Sequence, residues 1–131
     1  MMARPRLSDV KIVLVEGHLA LREAMTEYLS HHGAEVRSYG NPNDATDAAI
    51  DFSQTILLCE IKIPTEAAFL LLEQLRRSTS GTDSNIKAVG LSGLTSSVAE
   101  RRILSAGFDA VLQKPFGPAD LLQVLSRLLS R

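Results

Sequence analysis

The sequence predicts a doubly wound α/β domain: a five-stranded parallel sheet with helices on both faces. Two observations carry this. Short β-branched, apolar runs such as KIVLV at residues 11–15 and TILLC at residues 55–59 recur along the chain. Runs apolar throughout suit strands covered on both faces, as parallel strands are. Between them lie stretches with apolar residues at helical spacing, and strand–helix alternation with right-handed crossovers gives a layered α/β fold.

The elements follow in order. Residues 11–15 form the first strand. Residues 19–30 place Leu21, Ala24, Met25, Tyr28 and Leu29 at helical spacing, and Gly33 closes that helix. Residues 35–39 (EVRSY) alternate as a half-exposed second strand. Asn41-Pro42-Asn43 makes a turn, and residues 44–50 read as a short helix. Residues 55–59 are the third strand, Pro64 breaks the chain, and residues 66–77 form the third helix. On that helix Ala68, Leu71, Leu72 and Leu75 share a face, while Leu70 falls nearly opposite and, beside Phe69, marks either packing or a partner patch. A polar loop at residues 78–84 leads to a fourth strand at 86–91. Thr95 is the expected N-cap of a helix over 95–105 that Gly107 closes. Residues 110–112 are the fifth strand and 118–129 the last helix, whose apolar residues span a broad arc.

Composition narrows the function classes. The chain has 131 residues, enough for one domain with a real core, and residues 1–10 read as an N-terminal extension to a single domain over 11–131. A formal charge of −1 gives no overall field that would draw it to nucleic acid or an anionic membrane. The longest apolar stretch, AAFLLL at residues 67–72, is far too short to span a bilayer, and the first residues lack the apolar segment of a secretory signal. Cys59 is the only cysteine, which suits a reducing cytoplasm; in a buried strand it reads as an inert core thiol.

In doubly wound sheets, sites form beyond the carboxyl ends of the strands, at the switch in strand order. Glu16, Glu60, Ser92 and Lys114 each end or follow a strand, so four polar side chains can meet there. An acid closing the buried run TILLCE is the feature that needs explaining. Lys114 can pair with that carboxylate, and Ser92 can donate a hydrogen bond to it. The plainer reading of Glu60 and Lys114 is a structural ion pair at a sheet edge. His18, with Glu16 and Glu60, would make a transition-metal site, but three ligands without a spacing motif are weak support. His31 and His32 end the first helix, where an imidazolium favours the dipole.

At these residues the sequence resembles the receiver domain of two-component response regulators, with its flavodoxin-like three-layer fold. The resemblance runs from about Lys11 to Leu129. It rests on Lys114-Pro115-Phe116 after a short strand, Ser105-Ala106-Gly107-Phe108-Asp109 before it, Glu60-x-x-x-Pro64 after a buried strand, and Ser92-Gly93. The resemblance implies a phosphoacceptor aspartate where Glu60 stands, a Mg²⁺-binding acid pair where Glu16 and Gly17 stand, and phosphoryl contacts from Ser92 and Lys114. Val111 occupies the place of a switch aromatic. Glu60 carries its carboxylate about 1.5 Å farther out than an aspartate would, one C–C bond. Misplacement of about 1 Å can cost roughly a hundredfold in transfer. Gly17 removes a metal ligand, which leaves Glu16 and Glu60 for weak Mg²⁺ binding; no cofactor is required.

The expectation is therefore a degenerate receiver that works without phosphorylation and without catalysis. It would bind a signalling protein (a histidine kinase, an output domain or another regulator) through the face of the fourth helix, fifth strand and last helix. Homodimerisation is left open, and no nucleic-acid or membrane contact is expected. Two alternatives stay open: a receiver phosphorylated on Glu60 or another acceptor, and a small metal-dependent enzyme on the same fold. Against the enzyme stands the lack of a nucleophile–base pair and of a glycine-rich phosphate loop.

Overall fold

The computed structural model describes residues 6–47, 55–62, 65–78 and 86–130. These hold β1 (Lys11–Val15), α1 (Leu19–His31), β2 (Glu35–Tyr39), α2 (Pro42–Asp47), β3 (Thr55–Glu60), α3 (Ala67–Ser78), β4 (Lys87–Ser92), α4 (Ser97–Ser105), β5 (Ala110–Gln113) and α5 (Pro118–Leu129). The five strands form one sheet in the order β2-β1-β3-β4-β5, every neighbouring pair parallel. This is the predicted doubly wound architecture. The end of the second predicted helix, Pro64 and most of the polar loop at 78–84 lie outside the described residues.

The two-residue period of the strands divides the core. Ile12 and Leu14 of β1 and Ile56 and Leu58 of β3 join Met25 and Leu29 of α1 and Leu121, Leu125 and Leu128 of α5 in one cluster. Val13, Val15, Leu57 and Cys59 point the other way, against Ala45 of α2, Ala68, Leu71, Leu72 and Leu75 of α3, and Ile103 of α4. Helices α1 and α5 thus cover one face and α2, α3 and α4 the other.

Several boundaries differ from the sequence expectation. Helix α4 is capped by Ser96, whose hydroxyl accepts from Ala99 N at 3.1 Å, and not by Thr95. Both are hydroxyl residues in a Thr-Ser-Ser run, and the backbone geometry selects the second. Gly33 (φ 99°) and Gly107 (φ 108°) follow α1 and α4 in the left-handed conformation expected of helix-ending glycines. Leu70 is exposed at 59%. Phe69 is not: its ring packs edge-on against Phe108 at 6.1 Å, with the Arg102 guanidinium 5.9 Å above it. Arg102 also reaches Glu66 at 3.3 Å, so α4 is tied to the start of α3.

The first residues are not all an extension. Leu7 is wholly buried and Val10 nearly so, both in the α1–α5 cluster. Leu7 N donates to His32 O at 2.8 Å, which folds the segment before β1 over the end of α1. One leucine in a polar segment gives no periodicity to read, so the sequence alone placed the boundary at Lys11. Leu7→Ala should therefore cost about 2–5 kcal/mol in urea denaturation, as core leucine truncations do. A loss below about 1 kcal/mol would show that residues 6–10 lie outside the cooperative core.

Candidate functional site

The strand order reverses between β1 and β3, whose register sets Val15 beside Cys59. Glu16 and Glu60 are each one residue further on. They therefore lie side by side at the carboxyl edge and keep the alternation that puts Leu14 and Leu58 on the α1–α5 side. Ser92 ends β4 opposite Gln113 of β5, and Lys114 follows directly.

The ammonium of Lys114 joins the two acids. Its Nζ lies 2.7 Å from Glu16 Oε1 and 2.8 Å from Glu60 Oε2. The Lys114 backbone N–H donates to Ser92 O at 2.7 Å, which fixes where the side chain starts. The peptide bond to Pro115 is cis. Glu16 is fully buried. Its Oε2 accepts from His18 N at 2.9 Å, leaving Lys114 as the partner of Oε1. Glu60 Oε1 accepts from Gly17 N at 3.1 Å and lies 3.8 Å from Lys62 Nζ. Two carboxylates and two ammonium groups thus cluster at this edge of the sheet.

Burial alone would raise the Glu60 pKa. The Lys114 hydrogen bond, the Gly17 N–H and the charges of Lys114 and Lys62 outweigh it and hold the group below its ordinary 4.5. Burial alone would lower Lys114, but its bonds to Glu16 and Glu60 and their charges keep it above 10.5. Beneath them, burial and the negative charges of Glu60 and Glu16 push the Cys59 thiol up to about 12, which keeps it a thiol at neutral pH.

Ser92 departs from expectation. It sits buried at the predicted strand end, but its hydroxyl accepts from Leu94 N at 3.0 Å and donates to Leu94 O at 3.4 Å. This local turn takes the hydroxyl that was expected to reach a carboxylate. His18 caps α1, its Nδ1 accepting from Leu21 N at 3.3 Å. Among the described residues, no three His, Cys, Asp or Glu side chains form a metal-ligating group. Val111 is partly buried against the α2–α3–α4 cluster. The sequence reading missed two residues. Lys62 follows Glu60 by two positions, a spacing that returns a side chain to the same side of an extended chain. Arg22 donates to Glu16 O at 2.8 Å from one turn into α1, and no sequence pattern marks it. An open depression of about 570 Å³ lies over the pair, lined by His18, Leu21, Glu60, Lys114, Pro115 and Phe116.

Residues 12–126 match the family model described as response regulator receiver domain. The transcriptional regulatory protein GltR of Pseudomonas aeruginosa is 31% identical over 123 residues, covering 92% of this chain and 49% of that protein. The probable transcriptional regulator ycf29 of Pyropia yezoensis is 27% identical over 125 residues, covering 92% of this chain and 54% of that protein. The chain spans about half the length of these curated relatives. Among solved structures, the non-phosphorylated HemR receiver domain of Leptospira biflexa superposes with a TM-score of 0.78 at 20% identity, over 94% of this chain and 96% of that one. No helix among the described residues is long and apolar enough to cross a membrane.

A buried charge that loses its partner is costly, so Lys114→Met should destabilise the domain by about 3–5 kcal/mol in urea denaturation. Adding Glu16→Gln should recover part of that loss. A cost below about 1 kcal/mol for Lys114→Met would mean that Glu16 does not depend on Lys114.

The pKa shifts set a pH profile. Glu60 is lowered in the fold, so its contribution is full above its ordinary 4.5 and is lost as pH falls through the lower folded value. Lys114 is raised, so its contribution is full below 10.5 and is lost as pH rises through the higher folded value. Melting temperature should be level across neutral pH, and Glu60→Gln should flatten the acid limb. An unchanged acid limb in that variant would remove Glu60 from the account.

Proposed function

Because the chain belongs to the response regulator receiver domain family of two-component signalling, we propose that it is an atypical member, a phosphorylation-independent interaction module. One observation carries the reading: the ammonium of Lys114 already joins the Glu60 and Glu16 carboxylates at 2.8 and 2.7 Å. Glu60 stands where the acceptor aspartate is expected, with both its oxygens engaged. A phosphoryl donor would meet a carboxylate held in an ion pair and displaced by about one C–C bond from the aspartate position.

The pocket is also a poor fit for resident Mg²⁺. That ion takes hard oxygens in near-octahedral geometry. Here the two carboxylates are balanced by Lys114 and Lys62, and Gly17 offers no third. A cation would have to displace the Lys114 ammonium, so its binding is weak.

Glu60 in this setting is a fixed, partial stand-in for a phosphorylated acceptor, with a charge of −1 against about −2. Its pull reaches the loop after β4 through Lys114, whose backbone holds Ser92 O, and not through the Ser92 hydroxyl. An edge ion pair contributes about 0–1 kcal/mol when exposed and more when shielded. That biases a two-state loop several-fold without locking it. The face of α4, β5 and α5 is then presented constitutively to a signalling partner: a histidine kinase, an output domain, another regulator or a second copy. The exposure of Leu94 (43%), Val98 (65%) and Leu104 (41%) in and before α4 supports that surface. The protein acts in the cytoplasm by binding rather than catalysis.

Incubation with acetyl phosphate and Mg²⁺, followed by intact-mass spectrometry, should show no added phosphoryl group. Gly17→Asp with Glu60→Asp should restore uptake, and either change alone should restore less, because acceptor position and metal charge act together. A stoichiometric, Mg²⁺-dependent gain of one phosphoryl group by the wild-type chain would overturn the reading.

A further inference from the structure

Gly17 lies between β1 and α1, against the Glu60 carboxylate. Its N–H donates to Glu60 Oε1 at 3.1 Å. A Cβ at this position would lie 3.2 Å from that same oxygen and 3.3 Å from Lys62 Nζ, tighter than ordinary van der Waals contact. The backbone does not require glycine here. Among the described glycines only Gly33 and Gly107 have positive φ, so an L-residue fits the Gly17 conformation. The constraint comes from the facing side chain.

We propose that Gly17 is the seat of the Glu60 carboxylate: its N–H anchors Oε1, its missing side chain leaves the volume the carboxylate fills, and Glu60 and a side chain at position 17 exclude one another. The two departures from the expected acidic pocket are then one change. The longer acid at 60 occupies space that a side chain at 17 would need, and it reaches the main-chain N–H of residue 17. An acid added at 17 beside Glu60 would press a third carboxylate onto Glu16 and Glu60, whose countercharges are already engaged. Gly17 is a positioning residue: it acts through Glu60.

The inference goes beyond the phosphorylation reading and is tested without phosphodonor or partner. Wild type, Gly17→Ala, Glu60→Asp and the double variant are melted. Gly17→Ala should lower the melting temperature by about 3 °C or more, a modest loss for a domain of this size. In the Glu60→Asp background the same change should be neutral or raise it. There the shorter acid clears the Cβ, and alanine at an unstrained position restricts the unfolded chain. The ¹³C titration of the Glu60 carboxyl should move to higher pH in Gly17→Ala, an effect that destabilisation elsewhere would not produce. An equal loss in both backgrounds, an unmoved Glu60 titration, or failure of both alanine variants to fold would overturn the seat. None of these results bears on phosphoryl uptake, which the mass measurement reads separately.

Discussion

The ammonium of Lys114, shared between Glu16 and Glu60, is the interaction on which the carboxyl edge of the sheet depends. Glu16 is fully buried. A carboxylate removed from water costs several kcal/mol unless a countercharge and hydrogen bonds compensate it. Lys114 supplies the charge at 2.7 Å and His18 N the hydrogen bond at 2.9 Å. The same Nζ reaches Glu60 on β3, and the same residue's N–H holds Ser92 O at the end of β4. One lysine thereby links the ends of β1, β3 and β4. Without it, two acids on neighbouring strands would repel one another at the point where the strand order reverses.

That arrangement bears directly on what the pocket can do. A receiver that accepts a phosphoryl group needs an acceptor oxygen free to attack and countercharge free to receive the product. Here the carboxylate at the acceptor position is bound by Lys114 and Gly17, and the nearest cations are committed to acids already present. This favours a role in which the edge is held in one arrangement and read by a partner.

Much of the fold was legible because it follows from period and punctuation. The unbroken apolar runs of the buried strands and the apolar stripe of α5 leave little choice, and α5 begins at Pro118 and ends at Leu129 as the pattern implies. The meeting of Glu16, Glu60 and Lys114 was legible for a related reason: parallel strands deliver their carboxyl ends to one edge. What was not legible depended on local competition. Ser92 could reach across the edge or turn back on its own backbone, and the two-residue turn to Leu94 won. Thr95 and Ser96 are equivalent as caps until the chain direction is known. Leu7 lies in the polar run RPRLSD, so its burial shows only once α1 is in place. Arg22 and the space at Gly17 matter only in three dimensions.

The central claim is that the lysine ammonium, not a divalent cation, balances the two acids. The most direct measurement is ¹⁵N NMR of the Lys114 side chain with and without millimolar Mg²⁺. The account predicts an Nζ resonance protected from exchange and unmoved by Mg²⁺, in contrast to Lys62, whose side chain is 69% exposed. An Nζ that exchanges as freely as that of Lys62, or that shifts on addition of Mg²⁺, would contradict it.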